Sequence, residues 1–263
     1  MRPKVSVILV TYNREQLVCG AIASVLRQTY RDWELVVVDD GSTDNTQSAV
    51  MGCRLDDPRI WYFRNSQNFG IVASRSRALD EAAGEYIAVI DSDDLWSDEE
   101  KLAKQVAFLD EHPGHVMVGG GVIVTDGEGQ EKHRYLNPES DEDIRRDILR
   151  RNPFAHSSVL YRASAARQVG GYGTLGAEDS SDSAEDYDLF LRLGQAGKMA
   201  NLPEYLVNYR EHGGNVTGEK RLAMMRKNLM LVKKHGSEYP GYWRAWLRRF
   251  VRLSAGRIYF RKR

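Results

Sequence analysis

The chain has 263 residues, a length that suits one large domain or one and a half and leaves room for a sizeable buried core. Its 37 Lys and Arg balance 37 Asp and Glu, so the net charge is zero and nothing in it points to nucleic acid as a partner. The 2 cysteines, Cys19 and Cys53, follow no metal-ligand or redox spacing, which excludes a disulfide framework and suits a reducing cytoplasm.

Met1 to Lys4 lead into only six apolar or small residues before Thr11, too few for the apolar core of a signal peptide, and no run approaches the ~20 apolar residues of a membrane span. The expectation is a cytoplasmic protein. Residues 5–10 are mostly β-branched and read as a first strand, followed by a turn at Thr11, Tyr12, Asn13 and Arg14. Residues 15–28 read as a helix with apolar positions at Leu17, Ala21, Ile22, Val25 and Leu26. A second strand, 33–38, runs into a turn cluster of Asp39, Asp40, Gly41, Ser42, Thr43 and Asp44, which also offers N-caps to the next helix. A short strand at 60–63, a loop at 65–70 and a helix over 71–83, closed by Gly84, lead to a strand at 86–90. This alternation predicts βαβ units and a parallel sheet with right-handed crossovers.

The strand at 86–90 runs directly into Asp91, Ser92, Asp93 and Asp94. Open α/β sheets bind ligands beyond the carboxyl ends of their strands, so these acids stand where a ligand belongs. Carboxylates this close repel one another. A hard divalent cation, Mg2+ or Mn2+, that bridges them to substrate phosphates would relieve the repulsion. The bland alternative is a solvated turn that caps the next helix. The turns after the first two strands fall on the same rim, where Tyr12 suits stacking on a planar base and Asp40 suits accepting an N–H from its edge. No glycine-rich phosphate loop follows the first strand. That leaves the phosphates to metal and basic side chains, with Arg75 and Arg77 nearest.

Beyond Asp94 the pattern changes. A helix over 98–111 ends at His112-Pro113-Gly114, and 116–124 is a glycine-interrupted strand or strand pair with a hairpin tip at 127–129. A charged helix is expected over 141–151, a strand at 157–161 and a short helix at 163–169. The Ser-rich loop 180–183 is a candidate lid. The helix over 184–193 has an acidic first turn favoured by the helix dipole, and 205–210 is a last strand.

Six segments taken together carry a resemblance: Val-Ser-Val-Ile-Leu-Val-Thr-Tyr-Asn-Arg at 5–14, Val-Val-Asp-Asp-Gly-Ser-Thr-Asp at 37–44, Asn-Phe-Gly at 68–70 followed by Arg75, Gly-Glu-Tyr-Ile at 84–87, Asp-Ser-Asp-Asp at 91–94 and Glu-Asp-Tyr-Asp-Leu-Phe-Leu-Arg-Leu at 185–193. In order and spacing they resemble the family 2 glycosyltransferases, inverting metal-dependent enzymes of the GT-A fold that use nucleotide sugars. The resemblance covers about residues 4–217. It implies an α/β fold, a Rossmann-like, mostly parallel central sheet flanked by helices, with a nucleotide-sugar-binding half at 1–114, an acceptor-binding half at 115–217 and a basic helical extension at 218–263.

The resemblance also implies roles. Thr11, Tyr12, Arg14, Asp40, Arg75 and Asp93 would bind the nucleotide, with Tyr12 stacked on the base, usually uracil. Asp94, with Asp93 and His212, would hold the divalent metal, Mn2+ or Mg2+, and Asp91 is a weaker candidate in the same cluster. Asp186 would be the catalytic base that deprotonates an acceptor hydroxyl. His156 and the loop 176–183 are candidates for acceptor contacts. Ser76-Arg77 departs from the Asn that follows the arginine in many relatives. The implied partners are a nucleotide-sugar donor, usually UDP-linked in the family, and a glycan or lipid-linked acceptor in surface polysaccharide synthesis.

Residues 239–263 contain no acid and eight Arg or Lys, with Trp243, Trp246, Phe250 and Leu253 on one helical stripe and Arg244, Arg248 and Arg252 on another. Two readings stay open: an amphipathic helix on the anionic inner face of the cell membrane, or a helix packed back on the domain. Two other functions fit these motifs less well. A sugar nucleotidyltransferase would carry a glycine-rich loop where this chain has Thr11-Tyr12-Asn13-Arg14. A non-catalytic nucleotide- or glycan-binding relative would be expected to lack Asp94 or Asp186.

Overall fold

The computed structural model describes residues 2–173, 184–211 and 218–261, apart from the side chains of 56, 218–221 and 257–261. The first half alternates as its periodicity predicts: β1 (Val5–Thr11), α1 (Val18–Leu26), β2 (Trp33–Asp39), α2 (Thr46–Asp56), β3 (Ile60–Arg64), α3 (Ile71–Glu81) and β4 (Tyr86–Val89). These four strands are parallel, with β1 between β2 and β4 and β3 outside β2. Then follow β5 (Leu95–Trp96), α4 (Lys101–Glu111), β6 (His115–Thr125), β7 (Glu131–Tyr135), α5 (Asp141–Asp147), β8 (Leu160–Arg162), α6 (Ala163–Gln168), α7 (Glu185–Ala196) and β9 (Lys198–Arg210). The chain order across the sheet is β3-β2-β1-β4-β8-β6-β9-β5, with β7 on β6.

The second half of the sheet is mixed. β8 runs antiparallel to both β4 and β6, whereas β6 and β9 are parallel. The strand expected at 157–161 is a 3-10 turn at His156–Ser158 followed by β8, and β9 begins at Lys198 rather than at 205. The two-residue β5 has no counterpart in the sequence reading, because so short a strand leaves no period to detect. It pairs antiparallel with β9, Leu95 against Asn208, and so draws the end of β9 to the acidic turn.

Period-two burial splits the core between the two faces of the sheet. Ile8, Val36, Val38, Ile87 and Val89 face α3, α5 and α7. Val5, Val7, Leu9, Leu35, Val37, Ala88 and Ile90 face α1, α2 and α4. Gly119 on β6 meets β9 so closely that a Cβ would lie 2.4 Å from Asn201 Oδ1. The sulfurs of Cys19 on α1 and Cys53 on α2 lie 3.5 Å apart without forming a disulfide.

The extension forms α8 (Gly218–Lys234) and α9 (Tyr242–Arg261), which pack back on the domain. Leu231, Val232, Tyr239 and Ala245 join the core on the α7 side. The Tyr239 hydroxyl donates to Leu191 O at 2.6 Å. The expected aromatic stripe is divided: Leu253 is buried and Trp246 half-buried, while Trp243 and Phe250 face outward.

Candidate active site

Register places the strand ends on one rim. Thr11 of β1 pairs with Asp39 of β2, and Ile8 pairs with Val89 just before the acidic turn. The first two turns are tied together: Asn13 N donates to Ser42 Oγ (2.9 Å), Thr43 N donates to Asn13 Oδ1 (2.8 Å), and Arg14 N donates to Thr46 Oγ1 (2.8 Å). Asn13 holds φ at 51°, a left-handed conformation that asparagine tolerates better than most residues. A cleft of about 680 Å³ opens above this rim.

Tyr12 lines the cleft and is 41% exposed. Thr11 Oγ1 is buried at the wall with no hydrogen-bond partner, a polar group that a ligand could satisfy. Asp40 is nearly buried, and its carboxylate organises the loop at 65–70. It accepts from Asn65 Nδ2 (2.8 Å) and from the backbone N–H groups of Phe69 (2.9 Å) and Gly70 (2.9 Å). A carboxylate has about four acceptor sites, so roughly one remains for a base edge. Gly41, at φ 76°, lies so close to this loop that a Cβ would stand 2.5 Å from the Gln67 backbone.

Next comes the acidic turn. Arg14 Nη2 lies 3.7 Å from Asp93 Oδ2, and both residues line the cleft. Asp94 sits behind them and is 3% exposed. Ser157 Oγ donates to its Oδ2 (2.5 Å) and Arg210 N to its Oδ1 (3.2 Å). Burial first, and then the charge of Asp91, push its pKa well above the usual carboxylate range. The cleft lining holds four carboxylates (Asp40, Asp91, Asp93, Glu185) against three guanidiniums (Arg14, Arg75, Arg210). That excess would repel a diphosphate. Hard oxygen donors with uncompensated charge suit one divalent cation shared between carboxylates and phosphates. They do not suit a closed all-protein site, and no group of three metal-binding side chains forms one among the described residues.

The floor is built round Arg75, which α3 carries into the cleft. Its guanidinium donates to Asp91 Oδ1 (2.6 Å) and to Glu185 Oε1. Burial works against this charge, but Asp91 and Glu185 outweigh it and raise the pKa. His156 Nδ1 meets the same Asp91 oxygen at 3.0 Å, while its Nε2 lies 3.1 Å from the Tyr172 hydroxyl. Burial alone would raise the Asp91 pKa; His156 and Arg75 reverse that and hold it well below the usual range.

Several expectations change here. Arg75 reaches the cleft, but both its arms are engaged by carboxylates. Arg77 turns away and donates to Asn65 Oδ1 (2.6 Å) and Arg64 O (3.1 Å), which removes it from the phosphate candidates. His156 is buried and off the cleft lining, with its two ring nitrogens on Asp91 and the Tyr172 hydroxyl. Of the Glu-Asp pair it is Glu185 that lines the cleft. Asp186 is half-buried beside it, and its charge acts on Arg75 and Glu185. Consecutive helical residues point about 100° apart, so only the helix phase decides which one turns inward. Ala184, at φ 74°, turns the chain into α7 in a left-handed conformation that costs roughly 1–2 kcal/mol for a non-glycine residue. His212 and the loop 180–183 lie outside the described residues. The sequence reading missed Tyr209 and Arg210 of β9 and Met224 of α8, which complete the wall. Their only signal was position at or beyond the end of the last strand.

Comparison with known proteins agrees with this geometry. Residues 6–170 match the family model described as glycosyl transferase family 2. The chain is 38% identical over 211 residues to the putative glycosyltransferase EpsE of Bacillus subtilis, covering 80% of this chain and 73% of that one. It is 39% identical over 120 residues to the Escherichia coli enzyme named UDP-Glc:alpha-D-GlcNAc-diphosphoundecaprenol beta-1,3-glucosyltransferase WfgD, covering 46% of each. Among solved structures, the mannosyltransferase PcManGT from Pyrobaculum calidifontis, in complex with GDP-Man and Mn2+, superposes with a TM-score of 0.68 at 21% identity, over 96% of this chain and 70% of that one. S. aureus TarS 1–349 with UDP-GlcNAc superposes at 0.66 and 22% identity; this chain is 87% covered and spans 66% of that one. At these identities the likeness establishes the GT-A fold.

Proposed function

The chain belongs to glycosyl transferase family 2, and on that premise we propose that it transfers a sugar from a UDP-linked donor to a hydroxyl of a lipid-linked glycan, with inversion, in the assembly of a cell-surface polysaccharide. The observation that carries this reading is the 680 Å³ cleft, where the Tyr12 and Asp40 turns, the Asp93 turn and the N-terminus of α7 meet on one strand-end rim. The donor class is supported by the printed names of WfgD and of the TarS complex, and the lipid-linked acceptor by that of WfgD.

Each residue then has a task. Tyr12 stacks on the base, while Thr11 Oγ1 and the remaining acceptor site of Asp40 meet its polar edge. Arg14 steadies Asp93 against the ribose and diphosphate. Asp94 and Asp93 hold one divalent cation, Mn2+ or Mg2+, and His212 is the further ligand candidate. When bound, that cation neutralises the charge that builds on the departing diphosphate. Arg75 ties Asp91 to Glu185 and so sets the entry of α7 against the cleft. Asp186 takes the proton from the acceptor hydroxyl as the oxygen attacks the anomeric carbon from the face opposite the leaving group. One displacement inverts the configuration and needs no carboxylate nucleophile. Acceptor contacts come from 115–217, the half that carries α7.

Calorimetric titration with UDP and with GDP, each with Mn2+ and with a chelator, tests the donor site. Metal-dependent UDP binding, followed by release of UDP from a UDP-sugar when a lipid-linked acceptor is added, is the expected result. GDP preference would keep the reaction class and overturn the base assignment. A folded protein that binds neither would overturn the reading.

A further inference from the structure

The docked helix α9 uses only one of its faces. At about 100° per residue its circumference divides into three arcs. Tyr242, Ala245, Trp246, Arg249 and Leu253 turn toward the domain. Next to them runs an outward apolar arc: Trp243 is 73% exposed, Leu247 57%, Phe250 45% and Val251 55%. Beside that runs a basic arc of Arg244, Arg248 and Arg252, all exposed. Leu55 and Trp61 stand apart and Tyr135 and Leu136 form a pair, whereas these four fall within nine consecutive residues. A contiguous apolar stripe rimmed by polar groups marks a docking surface.

We propose that this outward face of α9 docks on an anionic lipid bilayer, with Trp243, Leu247, Phe250 and Val251 entering the headgroup boundary and Arg244, Arg248 and Arg252 meeting acidic headgroups. Charge complementarity selects this occupant. Residues 239–263 carry eight basic residues and no acid in a chain whose net charge is zero, so the positive charge is concentrated here. Interfacial helices combine an aromatic-aliphatic strip with arginines in this way, and each basic residue near an anionic surface is worth about a fivefold gain in partition. The position also serves the cleft. Arg252 and Arg249 line a 220 Å³ crevice between α8 and α9 with Met224, and Met224 also lines the donor cleft. A lipid-linked substrate arriving at the arginines would therefore stand one side chain away from the donor. The docking itself rests on the chemistry of the helix face, and it holds whichever sugar nucleotide the cleft takes.

The full chain would be sedimented with vesicles of equal parts phosphatidylglycerol and phosphatidylcholine, and with vesicles of phosphatidylcholine alone. Truncation is a poor test, because α9 supplies core residues; the variants are therefore outward-facing. The expected result is at least tenfold stronger association with the acidic vesicles, declining toward the neutral level at ~1 M salt, where the Debye length is about 3 Å. The double variant Trp243→Ser, Leu247→Ser should lose tenfold or more. The triple variant Arg244→Gln, Arg248→Gln, Arg252→Gln should lose the preference for acidic lipid. Both should keep the thermal midpoint and UDP affinity of the parent, which separates failed docking from a failed fold or donor site. Equal sedimentation with both vesicle types, or variants that bind like the parent, would overturn the proposal. So would a dimer in solution that the Trp243→Ser, Leu247→Ser variant dissociates, since the face would then belong to a second copy.

Discussion

Two aspartates lie almost equally deep in this molecule and have opposite electrostatics. Asp94, beneath the cleft, is 3% exposed, and Asp188, on the inner face of α7, is 2% exposed. Burial raises the pKa of both. At Asp188 it is overruled by His235 Nε2 (3.0 Å), Lys234 Nζ (2.8 Å) and Arg192 Nε (2.8 Å), which hold the carboxyl well below its ordinary range. At Asp94 the donors are a hydroxyl and a backbone amide, and the charged neighbours include Asp91 and Asp93, so the pKa rises. The closed cluster fastens α8 to α7. At the open one no cationic side chain among the described residues pairs with Asp94 to offset the neighbouring carboxylates, so a divalent cation would favour its charged form. Depth alone therefore separates nothing; the sign of the surrounding charge separates a structural carboxylate from one arranged for a ligand.

Substitutions can break or sharpen that contrast. The largest effect is expected on α7 itself, where Asp186 and Asp188 point about 200° apart. Asp186→Asn should lower kcat by about 10²–10⁴-fold while leaving UDP affinity nearly unchanged, as read by turnover and calorimetry together. Near-normal turnover would remove Asp186 as the base. Asp188→Asn should do the reverse: about 3 kcal/mol less stability, since Arg192 and Lys234 lose their counter-charge, and a thermal midpoint lower by about 6–12 °C, with kcat per folded molecule retained. Asp94→Asn should weaken Mn2+-dependent UDP binding on the order of hundredfold, about 2.7 kcal/mol, at no cost in thermal stability. A large fall in its melting temperature would place Asp94 with Asp188 as structural.

The pH response follows from the sign of the Asp188 shift. Its folded pKa is depressed, so its stabilisation is complete above the unfolded value of about 3.9 and drains away as pH falls toward the folded value. Denaturant unfolding between pH 6 and pH 3 should therefore steepen in the parent and flatten in Asp188→Asn. Tyr239→Phe removes the 2.6 Å bond to Leu191 O and gives the smallest effect, about 1 kcal/mol by the same assay.

Much of the first half was legible before any coordinates. Continuous apolar runs, turn residues after each strand and the helical runs between them specify a parallel βαβ sheet, and the rim position of Tyr12, Asp40 and Asp93 follows from that alone. The same logic failed beyond Asp94, because β6, β8 and β9 pair out of chain order, and such pairing is set by contacts remote in sequence. It also misread side chains whose type was right but whose direction was open. Arg77 looked as available as Arg75, and His156 stood as a candidate for acceptor contacts, because periodicity does not say which way a side chain turns.

The sequence by itself determined the family, the parallel sheet of the first half and the residue types on its rim, because these depend on local periodicity and on short motifs whose chemistry is carried within a few residues. Tertiary structure alone decided that Glu185 and not Asp186 lines the cleft, that Arg75 divides its charge between two carboxylates, and that α9 buries one arc while exposing an apolar and a basic one. Those outcomes depend on helix phase and on which distant charges come within a few ångströms, and neither is written in the order of the residues.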